Sequence, residues 1–294
     1  MQRRSGRAAE HWHHGVAAAL WASVILAASS GPAFSDAATT SRASPPARQA
    51  QKRHAPASAP GPVRRSGAAD HRDLALAGRV VGIDPGHNGR NYTDPAFIDS
   101  PIWNGRETET CDTTGTETDA GYTEAQFNFN VASFLAADLR AQGARVVLTR
   151  TSNDGVGPCV TARSEIINRA GASVAIDIHA DGGPADGRGF AILEPVSDGP
   201  NDRVIGASAV FGRILLERYR ALTGMPVSTY DGVDGVTKRD DLAGLNLTTV
   251  PKVLIECGNM RNATDAALLV RTSFQALAAK AFAEAITQYL TAAA

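Results

Sequence analysis

From about residue 79 onward, short continuous apolar runs alternate with longer stretches in which apolar positions recur at helical spacing. The run RVVGID (79–84) has the length of a buried strand. The segment 123–143 follows, with Phe127, Val131, Phe134, Leu135 and Leu139 spaced to form one helical face. Thr123 and Gln126 fit a capping box at its start, and Gly143 fits a C-terminal cap. Further strands are predicted over 145–149, 173–178, 189–193 and 252–256. Helices are predicted near 160–170 and over 207–222, 263–270 and 273–290. Strands separated by helices imply an α/β fold, a largely parallel central sheet with helices on both faces. Residues 77–294 are enough chain for one sizeable core and read as a single catalytic domain, with no period that marks repeats.

Residues 1–76 follow a different pattern. Met1 to Arg7 carries three arginines, Gly15 to Ser30 is an apolar run, and small residues follow. A basic start, an apolar centre and a small-residue exit predict a secretory signal peptide over 1–37, cut near Ala37. The apolar run is too short and too rich in Ala and Ser for a good spanning helix, so no stable membrane span is expected after processing. An uncleaved N-terminal anchor is the alternative. Residues 38–76 are rich in Ala, Pro, Ser and Arg with almost no large apolar side chain, which predicts a disordered linker. The linker holds seven Lys/Arg against two Asp/Glu, which leaves residues 77–294 acidic at −7 within a total of −1. An acidic folded part argues against a nucleic-acid partner. The basic linker is read as a solvated segment, with anionic surface polymers or lipid headgroups as the alternative contact.

Candidate chemistry lies at the strand ends. In open α/β sheets the reactive crevice lies beyond the carboxyl ends of the strands. His87 follows the first strand, His179 ends VAIDIH and Glu256 ends KVLIE. The other five histidines, His11, His13, His14, His54 and His71, fall in the signal peptide or linker. Two histidines and a carboxylate at one edge point to a metal site, and a catalytic zinc site takes three protein ligands plus an open position. Glu124, in the first turn of the capped helix, is the leading candidate for the third ligand. Glu107, Glu109, Glu117 and Asp119 in the preceding loop are its rivals, and residue types alone leave that choice open. Asp84 and Asp177 flank the histidines as candidates to hydrogen-bond an imidazole from behind, with bracing of a turn as the alternative for either. Arg163 and Asn168 are read as structural.

These segments together resemble a known family. GIDPGHNG, then a glutamate opening the helix of FNFNVASFLAADLRAQGARVVLTR, then AIDIHAD, then VPKVLIECGN, are similar to the zinc-dependent N-acetylmuramoyl-L-alanine amidases. The likeness is greatest to the single-domain amidases of actinobacteria and covers residues 78–292 in order. The resemblance implies a mixed central sheet, one zinc ion held by His87, Glu124 and His179, and Glu256 as the catalytic carboxylate. It also implies the reaction, cleavage of the amide between muramic acid and the first L-alanine of the peptidoglycan stem peptide.

The remaining signals refine this reading. Cys111 and Cys159 both lie in loops, so a Cys111–Cys159 disulfide is expected in an oxidising, extracellular or cell-wall compartment. Cys257 follows Glu256 on a core strand and is expected as a buried thiol on the opposite face. The segment 91–122 is long for a strand-to-helix connection and offers Trp103 and Tyr122 as aromatic contacts or anchors. The helix over 207–222 reads as an ordinary amphipathic helix, not a plug over the cleft. No G-x-S-x-G elbow is present. A secreted zinc peptidase is the alternative enzyme, and a wall-binding protein with a dead site is the non-enzyme alternative. A monomer acting on peptidoglycan or its muramyl-peptide fragments is expected.

Overall fold

The computed structural model describes residues 74–292. The expected signal peptide and residues 38–73 of the expected linker lie outside the described residues. The fold reaches back further than the pattern indicates. Leu76, assigned to the linker, is fully buried, and its N–H donates to the Gln142 carbonyl at 2.9 Å. Three residues are too few to show a period, so the pattern missed them.

Strand β1 (Val80–Pro85) leads into helix α1 (Pro95–Ile98) and a hairpin of β2 (Pro101–Trp103) and β3 (Thr108–Thr110). Helix α2 (Glu124–Ala141), β4 (Arg145–Leu148), α3 (Val160–Arg169), β5 (Val174–Asp181) and β6 (Ala191–Pro195) follow. The chain ends with α4 (Ile205–Thr223), β7 (Val236–Arg239), α5 (Ala243–Asn246), β8 (Lys252–Asn259), α6 (Ala263–Leu269) and α7 (Thr272–Ala292). The main sheet has the order β4-β1-β5-β8-β6-β7. Pairings among β4, β1, β5 and β8 are parallel, β6 runs antiparallel to β8, and β7 is parallel to β6. The sheet is therefore mixed and mostly parallel. The pattern missed β7 because VTKR is half-buried and charged at the sheet edge.

Alternation along the strands separates two faces. Val81, Ile83, Val174, Ile176, Val253 and Ile255 join the large apolar core under α2, α4 and α7. Ala175 packs with Ile167 of α3, and Ala191, Leu193 and Leu254 pack with Leu245 of α5. In α2, Phe127, Val131, Leu135 and Leu139 are fully buried at the predicted spacing, whereas Phe134 turns to solvent. The connection from β1 goes outward to β4, while β5 lies on the other side of β1. A crevice opens at such a reversal of strand order, at the carboxyl ends of β1 and β5.

Candidate metal centre

The turn after β1 is built for close approach. A Cβ at Gly86 would fall inside the His179 imidazole, so only glycine fits. His87 follows with φ 58°, a left-handed conformation uncommon for a residue with a side chain. Arg163 secures that turn: Nη1 donates to the Pro85 carbonyl at 2.7 Å and Nη2 to the His87 carbonyl at 2.8 Å. Parallel pairing sets His179 of β5 directly beside Glu256 of β8.

Glu124 is the first residue of α2. Thr123 caps the helix by accepting from the Gln126 N–H at 3.3 Å. The return arm of the expected capping box is not made, because the Gln126 amide donates to Asn130 and accepts from Asn153. The Glu124 carboxylate lies between the two imidazoles, with Oε2 3.2 Å from His87 Nε2 and Oε1 2.8 Å from His179 Nδ1. Ligand atoms of His87, Glu124 and His179 all lie within 4.8 Å of one another. Two imidazole nitrogens and one carboxylate oxygen converging at this range form a donor set suited to zinc. Gly115 clears the other side, since a Cβ there would come within 2.7 Å of Glu124 Oε2 and of the His87 ring.

Behind each histidine stands a carboxylate. His87 Nδ1 lies 3.4 Å from Asp112 Oδ1, and His179 Nε2 lies 3.3 Å from Asp177 Oδ1. Partners of this kind fix the tautomer and aim of a ligand imidazole. Asp84 touches neither histidine and fits the bracing alternative. It accepts instead from Lys252 at 2.8 Å, Arg163 at 3.2 Å and Thr149 at 2.6 Å. Lys252 also lies 3.0 Å from Asp177, and Arg163 donates to Asp112 at 3.1 Å. A buried chain therefore runs His87–Asp112–Arg163–Asp84–Lys252–Asp177–His179. Asp112 was missed in the sequence because its loop is crowded with carboxylates.

The charges follow from this geometry. Burial alone would raise the Asp84 carboxyl, but Lys252 and Arg163 hold it below its usual range. Burial opposes charge on Lys252, and Asp177 and Asp84 reverse that. Burial lowers the His87 imidazole, yet Glu124 and Asp112 lift it to about 9. Glu124 is held well below the ordinary carboxylate range by the two histidines, against its burial. Glu256 differs: burial pushes its carboxyl up to about 8, and Glu124 and Asp181 reinforce the push while the histidines oppose it. Its Oε2 is buried and has no hydrogen-bond partner. His87, Glu124, His179 and Glu256 line one cleft of about 320 Å³, with Asp181, Leu193, Arg239, Leu242 and Leu254 among its other walls.

The rival carboxylates go elsewhere. Glu109 accepts from the Ala243 N–H at 3.1 Å and lines a neighbouring cavity, and Glu117 lines an outer pocket. Asp119 is mostly exposed and faces Arg261 at 3.6 Å. Glu107 is fixed through its backbone, by bonds with Asn104.

Residues 81–288 match the N-acetylmuramoyl-L-alanine amidase family. The chain belongs to that family. It is 41% identical over 201 residues to N-acetylmuramoyl-L-alanine amidase Rv3717 of Mycobacterium tuberculosis, a match covering 66% of this chain and 79% of the relative. The apo form of the amidase Ami1 from Mycobacterium abscessus has 39% identity and a TM-score of 0.69, covering 73% of this chain and 100% of that one. Ami1 from Mycobacterium smegmatis has 37% identity and a TM-score of 0.70, covering 74% and 99%.

Other sequence-predicted residues of the amidase domain are placed as follows. Cys111 and Cys159 are unbonded thiols in the structure, brought together where the Val160 N–H donates to the Cys111 carbonyl at 2.8 Å. Burial and the neighbouring Cys159 thiol push Cys111 up to about 12. Cys257 is fully buried in the apolar core, on the face opposite Glu256. The Tyr122 hydroxyl accepts from Gln275 at 2.9 Å and Asn130 at 3.2 Å, so it is an anchor, whereas Trp103 is exposed on β2. Asn168 ties α3 to the loop before β8 through Leu247 and Thr249. Helix α4 packs its buried Phe211, Leu215 and Tyr219 into the apolar core, away from the cleft. Among the described residues no helix is long and apolar enough to cross a membrane.

Proposed function

We propose that this chain is a zinc-dependent peptidoglycan hydrolase that cleaves the amide between N-acetylmuramic acid and the L-alanine of the stem peptide. The observation that carries the reading is the placement of Glu124 between His87 and His179, with Glu256 beside His179 in the same cleft, in a chain of the amidase family. His87, Glu124 and His179 would hold one zinc ion at the cleft. When bound, the ion would supply Lewis acidity for the scissile carbonyl and the attacking water. The charge of the bound cation would favour the ionised form of Glu256 against the burial that raises it, and the carboxylate takes the proton of that water through its unpartnered Oε2 and returns it to the leaving alanine nitrogen. An amide needs both services, because its carbonyl is a weak electrophile and its unprotonated nitrogen a poor leaving group. Asp112 and Asp177 keep the two imidazoles aimed.

The same reading extends to the rest of the chain. Residues 1–37 act as a signal peptide, the stretch after them as a linker, and the catalytic domain works as a secreted monomer at the cell wall. In that oxidising setting Cys111 and Cys159 pair as a disulfide, which non-reducing peptide mapping reads directly.

The deciding experiment digests purified peptidoglycan and analyses fragments by mass spectrometry, with and without a chelator. Peptides beginning with free L-alanine, lost on chelation and restored by zinc, are expected. Products cut within the stem peptide would make the chain a peptidase, and chelator-insensitive cleavage would remove the metal from the mechanism.

A further inference from the structure

Three acids and one arginine line the catalytic cleft. Glu124, Asp181 and Glu256 line it, and Arg239 is the single Lys or Arg among its lining residues. Arg239 ends β7, in register with Pro195 of β6, and its carbonyl accepts from the Val196 N–H at 3.0 Å. Its guanidinium is held along one edge. Nε and Nη2 donate to the Asp241 carboxylate at 2.6 and 2.7 Å, and the Asp241 carbonyl is tied to Asn104 at 3.1 Å. Among the described residues Nη1 donates to no partner, and about a third of the side chain (33%) is exposed. The Asp241 bond holds the arginine charged against its partial burial, and Asp231 and Glu256 add to that.

Strand β6 lies between β8 and β7, so Leu193 and Leu254 form an apolar floor between Glu256 and Arg239. An apolar floor of this kind would suit a small apolar side chain such as an alanine methyl. The next group of the substrate would then meet the guanidinium. In a muramoyl peptide the residue after L-alanine is linked through its γ-carboxyl and carries an α-carboxylate, which some cell walls convert to an amide. The zinc ion of the proposed site balances two of the three acids, so Arg239 is the fixed cation left among the lining residues to face an anionic group of the peptide. A planar guanidinium already pinned on one edge presents its remaining N–H groups to a carboxylate with little loss of side-chain freedom.

We propose that Arg239 is a specificity-determining residue, whose open Nη1 edge receives the α-carboxylate of the second stem-peptide residue on the leaving-group side of the cleft. The proposal rests on the amidase reading of the site. It assigns to this chain a preference for the free acid over the amidated stem.

The test uses two muramoyl tripeptides that differ only in the second residue, one with D-glutamate and one with D-isoglutamine. The parent enzyme should show a kcat/KM ratio, acid over amide, of about ten, carried by KM. R239Q should bring that ratio close to one, and R239K should keep part of it. A ratio in R239Q equal to that of the parent, even with lower activity on both substrates, would make Arg239 a structural partner of Asp241 and overturn the proposal. A parent enzyme that cleaves both with equal efficiency would overturn it as well. A parent that releases no alanine-terminal peptide from either substrate would overturn the amidase reading itself.

Discussion

On one face of the sheet, Phe127, Phe211, Tyr219 and Phe282 pack α2, α4 and α7 onto Val81, Ile176 and Val253; on the other, Asp84, Asp177, Arg163 and Lys252 are buried almost as completely. The apolar face gains stability in proportion to area removed from water, and its side chains can be exchanged for others of similar volume. The charged face gains little that way. Burying ions costs desolvation that their mutual attraction does no more than offset, unless every hydrogen-bonding position is filled. At Arg163 they are filled: all five donors are used, on Pro158, Pro85, His87, Asp84 and Asp112. What that arrangement secures is direction, because both ends of the chain of charges terminate on a candidate ligand histidine. The apolar face carries the larger share of the domain's stability, and the charged face ends on His87 and His179.

The sharpest test of that division lies at Glu256, which sits on the charged face without belonging to its chain of ion pairs. Glu256→Gln keeps the shape and should retain zinc and fold while turnover falls by roughly two to four orders of magnitude. Metal analysis together with release of L-alanine-terminal peptides reads both. Loss of zinc in E256Q would make Glu256 a ligand, and full activity would move the base elsewhere. His179→Ala and His87→Ala should instead lose the metal.

The next comparison sets one residue of each face against the other. Phe211→Ala should cost about 3–5 kcal/mol of stability in urea unfolding, with zinc affinity of the folded protein preserved. Lys252→Met, which touches no ligand, should weaken zinc binding by about 10–100-fold in competition with a chelator. Should Lys252→Met also unfold the domain, Asp177→Asn gives the same reading from the histidine side. Equal zinc affinity in the parent and both variants would reduce the buried charges to scaffold.

The two faces also differ in how they are written in the sequence. The apolar face is legible because Phe127, Val131, Leu135 and Leu139 repeat at helical spacing and the strand cores are continuous. His87, His179 and Glu256 were legible by position, each at a strand end, and residue types alone left Glu124 among several carboxylates. The charged network was not legible. Lys252 meets Asp84 and Asp177 only once β8 pairs with β5, and Asp112 acquires a role only when a long loop folds back over His87. Its members lie at 84, 112, 163, 177 and 252, and no local pattern links such distant positions. Arg239 was invisible for the same reason, since its strand carries no apolar alternation.

The charged face should also show in pH dependence. Asp84 and Asp112 are held below their ordinary value of 3.8. A carboxyl depressed in the folded state contributes stability above its unfolded value and loses it as pH falls through the folded one. Lys252 is raised above its ordinary 10.5, so its contribution is complete below that value and is lost only as pH rises through the folded one. The stability of the domain should therefore be flat across neutral pH with respect to these groups and fall below about pH 4. Asp112→Asn should make that acid limb shallower, as read by urea midpoints at a series of pH values. An unchanged acid limb would mean that Asp112 is not ionised in the fold.

The smallest effect lies where one helix serves both faces. Helix α2 sends Phe127 and Val131 into the apolar core and Glu124 into the cleft. Thr123→Ala removes the cap that accepts the Gln126 N–H, and should cost about 1 kcal/mol, lowering the melting temperature by about 2–4 °C. Gln126→Ala should leave the cap intact, because that side chain is turned toward Asn130 and Asn153 and does not reach back to Thr123. The carboxylate of Glu124 does not depend on the cap alone. It accepts from the Thr116 N–H at 3.0 Å, the Ala180 N–H at 3.3 Å and the Asn128 amide at 3.3 Å, and the Glu124 N–H donates to the Thr116 carbonyl at 2.9 Å. Three of these four bonds are made to backbone outside the helix, so they survive fraying of its first turn. Thr123→Ala should thus lower stability without a comparable loss of zinc affinity. A collapse of zinc affinity at unchanged stability would show that the start of the helix, and not the loop and strand around it, aims Glu124 at the metal.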